Sequence, residues 1–238
     1  MERFNTRRAM STRIFVILIV CVLPTFKAVG QKVRPFVKGG LTIGLFDGTA
    51  ASDEDYGHFG LNMGGGVQIP ISKNHNTYLE PSFNLIPKGN VYDVPQAGGR
   101  VTFSLMYLEA QIDFVYRWQS GRDWRIPLGT GLYGAYGLKG KVSATNGISW
   151  YNGIPVGESL SMFDDVIGAS RWDAGWRVWT VGVEYRQFMF RWDFELGFFS
   201  QFRNRRLFSQ SHYRRLYALE EDYFGGNWAT SLNFGYLF

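Results

Sequence analysis

The segment Arg186–Gln201 alternates strictly between apolar and polar positions. Phe188, Phe190, Trp192, Phe194, Leu196 and Phe198 occupy its even positions, while Met189, Arg191, Asp193, Glu195 and Gly197 occupy the odd ones. Successive strand side chains point to opposite faces, so one face here is greasy and the other charged or small. That polarity predicts a sheet with lipid on its outside and a polar interior, the pattern of a membrane-spanning β-barrel.

Seven further segments carry alternation or strand-rich composition. The first, Pro35–Phe46, sets Val37, Leu41, Ile43 and Leu45 against Lys38, Gly40, Thr42 and Gly44. The second, His58–Pro70, turns Phe59, Leu61, Met63, Val67 and Ile69 outward, with His58, Asn62, Gly64, Gly66 and Gln68 inward. The third, Tyr78–Pro87, is the least regular, because Pro81 lacks the N–H of a ladder bond. In the fourth, Val101–Trp118, Leu108, Ala110, Ile112, Phe114 and Tyr116 oppose Glu109, Gln111 and Asp113. The fifth, Arg125–Lys141, sets Leu128, Leu132, Tyr136 and Leu138 against Gly129, Gly131, Gly137 and Lys139.

The sixth, Arg171–Tyr185, begins with even positions outward (Ala174, Trp176, Val178) and ends with odd ones (Val181, Val183, Tyr185). A period of two changes parity only through an extra residue, which predicts a β-bulge near Trp179-Thr180. The seventh is the opening segment, entered by a tight turn at Arg186-Gln187. The eighth, Asn227–Phe238, points Trp228, Leu232, Phe234, Tyr236 and Phe238 outward.

Connections alternate in length: 47–57 long, 72–77 short, 88–100 long, 119–123 short, 142–170 long, 186–187 tight and 204–225 long. Short periplasmic turns and longer extracellular loops are a property of spanning barrels. Unpaired backbone edges in lipid are too costly to leave open, so the first strand is expected to pair with the last. The fold class is therefore all-β: an eight-stranded antiparallel up-and-down transmembrane β-barrel. Eight strands leave an interior about filled by side chains. Glu80, Glu109, Asp113, Asp173, Asp193 and Glu195 meeting Lys38, Lys139, Arg177 and Arg191 predict a salt-bridged plug.

Composition changes the picture mainly at the N-terminus. Residues 1–30 have an Arg-containing start, the ten-residue apolar run Ile14–Leu23, Pro24 and the small-x-small triplet Ala28-Val29-Gly30. These are the parts of a cleaved signal peptide, and the run is too short for a spanning helix. The domains expected are a signal peptide, 1–30, and a barrel, 31–238. The net charge of +5 belongs largely to the leader, which leaves 20 basic against 19 acidic groups after it. No nucleic-acid partner is expected. Cys21 is the one cysteine and lies within the leader, so the remainder has no disulfide or thiol chemistry.

Four stretches resemble a known group. Leu79-Glu80-Pro81 through Lys88-Gly89 is similar to a Leu-x-Pro strand ending in Lys-Gly, and Tyr107-Leu108-Glu109 resembles a Tyr-Leu-Glu strand. An Ile-Pro pair usually follows the latter, where this chain has Ala110-Gln111 and lacks the implied kink. Gly131-x-Tyr133-x-x-Tyr136-x-Leu138-x-Gly140-Lys141 resembles a fifth strand, and Asp173-x-Gly175 a sixth. Gly182 and Glu184 follow one residue late, as the bulge requires. Together the chain resembles the PorT-like small outer-membrane β-barrels of Gram-negative bacteria. That resemblance implies an eight-stranded barrel and no reaction, although the founding member serves protein export across the outer membrane.

Few residues suggest chemistry. His58, expected at the lumen rim, could serve as a base, as in outer-membrane lipid A acyltransferases and deacylases. Acyl transfer needs a nucleophile beside the base, and no Ser is placed there by spacing. His75 and His212 are scattered and make no metal motif. Asp53-Glu54-Asp55 and Asp164-Asp165 lack the spacing of a calcium loop. Gly64-Gly65-Gly66 is not followed by Lys-Ser/Thr and is no phosphate loop. The basic group Arg203, Arg205, Arg206, Arg214 and Arg215 has the charge to meet anionic lipopolysaccharide. Tyr56, Trp118, Trp124 and Trp172 suit interfacial aromatic belts.

The expected catalytic, cofactor-binding and metal sites are thus none. The expected function is a non-enzymatic outer-membrane scaffold or docking platform, with a lipid A-modifying enzyme and a narrow solute channel as alternatives. Expected partners are outer-membrane lipid and lipopolysaccharide, envelope or secretion-system proteins, and the barrel-assembly machinery through the C-terminal strand ending at Phe238.

Overall fold

The computed structural model describes residues 33–46, 55–94, 99–145, 159–163, 170–200 and 226–238. Residues 1–32 with Cys21, Asp53-Glu54, Asp164-Asp165, His212 and the basic group at 203–215 lie outside the described residues. Among those described, nine strands follow in order: β1 Arg34–Phe46, β2 Asp55–Pro70, β3 Thr77–Val94, β4 Gly99–Ser120, β5 Trp124–Ala144, β6 Ser159–Ser161, β7 Trp172–Tyr185, β8 Phe188–Ser200 and β9 Gly226–Leu237.

Eight of them form one closed antiparallel wall, because β4 pairs β5 and β1 pairs β9. Closure satisfies the backbone groups that an open edge would leave unpaired in lipid. At the seam, Leu41 faces Leu232 and Thr42 faces Ser231. β6 is a short addition on the upper edge of β5, opposite Lys141–Ser143.

The alternation holds with the expected polarity. Phe190 and Trp192 are 51% and 45% exposed on the outside, while Arg191, Asp193 and Glu195 are each 2% or less. No helix among the described residues is long and apolar enough to cross a membrane, and the apolar belt is carried by strands. The predicted bulge lies in β7, where Arg177 pairs Glu195 and Trp179 pairs Phe194, leaving Val178 as the extra residue. It sits one to two positions before the predicted one. Trp176 before it and Val183 after it both face outward.

Three expectations need correction. Residues 88–100, read as a long loop, are mostly ladder, since β3 and β4 pair from Lys88↔Leu105 to Val94↔Gly99. Lys139 is exposed on the outer wall because a second bulge, at Leu138, changes the parity of β5: Met106 pairs Lys139 while Tyr107 pairs Gly137. Ile69, expected outward, is buried. The β2–β3 ladder is also interrupted, between Gly57↔Asn90 and Met63↔Leu85.

That interruption has a steric origin. Ile86, Pro87, Lys88, Gly89 and Asn90 are all buried, so this part of β3 bends into the lumen beneath the β1–β2 hairpin. The hairpin accommodates it with glycines. A Cβ on Gly44 would lie 2.9 Å from both Lys88 Cα and Gly89 N, and one on Gly60 would lie 2.6 Å from Pro87 Cγ. A side chain at Gly44 would therefore push β3 back towards the wall.

Candidate functional site

The inward face of the barrel is where polar chemistry collects. Three levels of charge are stacked along it. Nearest the termini, Arg191 grips Glu80 with two donors at 2.5 and 3.1 Å and reaches Glu184 at 2.9 Å. Arg117 donates from one terminal nitrogen to the same Glu184 at 3.1 Å and to Gln68 at 2.6 Å, and its Nε lies 2.9 Å from the other Glu184 oxygen as an ion pair. Its guanidinium stacks over Tyr78, 4.1 Å from the ring centroid. The planar fork of Arg matches a carboxylate in this paired manner.

At mid-height, Arg177 contacts Asp113 at 3.1 Å, Asp193 at 3.3 Å and Glu195 at 2.8 Å. Asp193 is held further by Lys38 at 3.5 Å, Thr180 at 2.5 Å and Asn233 at 2.9 Å. Above this, Lys88 reaches Asp173 at 3.1 Å, Glu109 at 3.2 Å and Glu195 at 3.6 Å, with its ammonium 4.1 Å from the Tyr133 ring centre. Gln111 donates to both Glu109 and Glu195.

Apolar side chains close the lower end. Phe36, Met189 and Leu237 pack together and are nearly inaccessible. Towards the other end the inward positions Phe103, Leu105 and Val142 are buried, and so is Met162 just after β6, whose Cβ is near Gly140. Ions between these two apolar ends are shielded from bulk water, where each pair is worth more than on a surface and each orphan is costly.

Of the acids and bases expected inside, Lys139 alone among the described residues faces outward. Lys88, Arg117 and Glu184 join the network without having been anticipated. Parity past Asp113 in β4 and past the bulge in β7 gives the signal for the latter two. His58 stands at the lumen rim with intermediate exposure, and its Nδ1 has no hydrogen-bond partner among the described residues. His75 occupies the Ser72–Thr77 turn with φ 52°, remote from it. The two do not meet, and no cluster of metal-ligating side chains occurs among the described residues. The belt residues Tyr56, Trp118, Trp124 and Trp172 are all exposed. Gly64, Gly65 and Gly66 pair with Lys38, Val37 and Phe36 as ordinary strand residues.

With this geometry in view, the sequence matches the family model of the outer membrane protein beta-barrel domain over residues 29–203. The chain belongs to that family. An outer membrane β-barrel presents its loops to the exterior and its short turns to the periplasm, so the termini and the Arg117–Glu184–Arg191 level are periplasmic. The protein resides in the outer membrane.

Solved structures similar to this outer membrane barrel include Ail, the attachment invasion locus protein of Yersinia pestis, at 11% identity and a TM-score of 0.42. That alignment covers 87% of this chain and 99% of that one. Neisserial surface protein A aligns at 10% identity and 0.44, over 87% and 99% respectively. The N-terminal β-barrel domain of Pseudomonas aeruginosa OprF aligns at 11% and 0.35, over 87% and 100%. No curated protein matches the sequence.

Proposed function

We propose that this outer membrane barrel is a non-enzymatic platform of the cell envelope, acting through its outer wall and extracellular loops while its interior serves only as a structural plug. The carrying observation is the lumen itself. Lys38, Lys88, Arg117, Arg177 and Arg191 are each 8% exposed or less and each engages at least one carboxylate. A path for solute would have to break these pairs, each break leaving a buried charge behind at about 3–5 kcal/mol. His58 has no nucleophile among its described contacts, which removes the main support for acyl chemistry.

In this reading residues 1–30 are a signal peptide removed on export. The strand ending at Phe238 is the segment offered to the assembly machinery, and outer-leaflet lipopolysaccharide surrounds the wall. The likeness to PorT-like barrels supports docking of envelope or secretion-system proteins on the loops. Two measurements test the proposal. Refolded protein in planar bilayers is expected to give no conductance, and lipid A from a deletion strain is expected to keep its mass. Steady conductance would make it a channel, and a changed lipid A mass an enzyme. A tag in the 121–123 turn then allows recovery of partners from intact outer membranes.

A further inference from the structure

The outer wall changes character sharply where β4 and β5 rise above the apolar belt. Along β4 the outward positions run Ile112, Ala110, Leu108, Met106, then Ser104 and Thr102; along β5 they run Leu132, Tyr136, Leu138, then Lys139, Lys141 and Ser143. Register places these changes side by side. Met106 faces Lys139, Ser104 faces Lys141, and Thr102 faces Ser143. β6 extends both upper rows, with Ser161 opposite Lys141 and Ser159 opposite Ser143. Directly opposed residues share a face, so hydroxyls flank Lys141 on both sides and a second hydroxyl row lies above.

The Leu138 bulge creates this surface. Without the extra residue, parity would turn Lys139 and Lys141 into the lumen, where cations already meet carboxylates. With it, both ammonium groups stand outside, both are exposed, and neither forms an ion pair among the described residues. The described carboxylates are otherwise inward, apart from Asp123, which pairs with Arg186 in a periplasmic turn at 3.6 Å; the side chains of Asp55 and Asp93 lie outside this description. A belt pair, Tyr136 against Trp172 with ring centroids 5.0 Å apart, marks the interface just below. From the Leu108–Tyr136 row to the Ser104–Lys141 row is four residues along β4. At about 3.3 Å per residue and a tilt of about 40° that is roughly 10 Å of height, the level of headgroups in the outer leaflet.

We propose that this face of β4, β5 and β6 seats the phosphate-bearing sugar headgroup of an outer-leaflet glycolipid. Lys139 and Lys141 meet the phosphate, while Ser104, Ser161, Thr102 and Ser143 bond to phosphate or sugar oxygens. Cations at this height attract anionic lipid, and hydroxyls supply donors and acceptors to a sugar. The idea rests on the platform reading for the sidedness of the barrel, and it assigns that platform a lipid.

Native mass spectrometry of the full barrel in neutral detergent tests it, with diphosphoryl lipid A, its dephosphorylated form and inorganic phosphate as separate probes. One diphosphoryl lipid A is expected to be retained, with at least about tenfold weaker binding of the dephosphorylated lipid. The double variant Lys139→Gln/Lys141→Gln is expected to show the same loss of diphosphoryl lipid A and an unchanged heat-dependent gel shift, showing an intact barrel. Arg122→Gln, in a periplasmic turn, is expected to bind as the wild type does. Undiminished binding by the double variant, an equal loss in Arg122→Gln, or equally tight retention of inorganic phosphate alone would overturn the proposal. The bound lipid is expected to leave with its mass unchanged, and altered lipid would overturn the platform reading instead.

Discussion

In the periplasmic half of the lumen, Arg117 and Arg191 face Glu80 and Glu184, two cations against two carboxylates. Above them, Lys38, Lys88 and Arg177 face Asp113, Asp193, Glu195, Glu109 and Asp173, three cations against five. The lower level is closed by two-donor geometry and could lose neither sign without leaving an orphan. The upper level is held by cations shared among several acids, so its stability depends on the cations far more than on any one acid. The difference follows from how the backbone is built at each height. β8 and β7 run regularly past the lower level, while β3, still paired with β4, parts from β2 where it brings Lys88 to the upper one.

The largest expected effect tests that dependence on cations. Arg177→Met removes the group that touches Asp113, Asp193 and Glu195, and should cost about 3–5 kcal/mol in urea unfolding of the refolded barrel followed by tryptophan fluorescence. A loss below about 1 kcal/mol would mean the acids are neutralised by other means. The next test compares acids at the two heights. Glu184→Gln strips a partner from both Arg117 and Arg191 and is expected to cost about 3 kcal/mol. Glu109→Gln relieves an excess of carboxylates while keeping an amide beside Gln111, so less than about 1 kcal/mol is expected. Equal losses would erase the distinction between the halves.

Gly44→Ala probes the bend itself. Its Cβ would press on Lys88 Cα and Gly89 N, both backbone atoms that cannot step aside. Overpacking of this sort costs about 1–3 kcal/mol, and amide exchange should quicken in residues 86–90 but not in 79–85. The smallest effect lies at the other end, in the Tyr185–Phe188 turn, where Arg186 holds φ 54° at the first central position. That is a type II′ turn, which favours glycine there. Arg186→Gly should therefore stabilise the barrel by up to about 1 kcal/mol, and a clear loss would show that its contact with Asp123 matters more.

Much of this was legible in the residues. The β8 stripe alone gives the polarity, and the parity change between Trp176 and Val181 locates a bulge to within two positions, because a period of two has no other way to invert. What was missed has equally physical causes. Lys88-Gly89-Asn90, just after Pro87, carries turn-forming residues and no alternation, so the part of the strand that delivers Lys88 reads as loop. Its pairing is decided by β4 across the ladder, which a local pattern does not contain. The bulge at Leu138 was hidden between Gly137 and Gly140, where the absent side chains give no parity to read. Lys139 was placed inside for that reason, and the outer-wall patch around Lys141 went unseen with it. The rest of the second expected long loop fails in the same manner, since Val91 to Val94 pair with residues well beyond any local window.

Closure between β1 and β9 is the condition on which the filled lumen and the outward wall both depend, and it can be read by one cross-link. Thr42 and Ser231 are ladder partners whose hydroxyls lie 2.8 Å apart across the seam, and the only native cysteine, Cys21, lies within the proposed signal peptide. Thr42→Cys/Ser231→Cys, expressed in cells and oxidised in the outer membrane, is predicted to form an intramolecular disulfide seen as a faster non-reduced band after full denaturation. Thiols that stay free, or that join only separate molecules, would contradict a closed barrel.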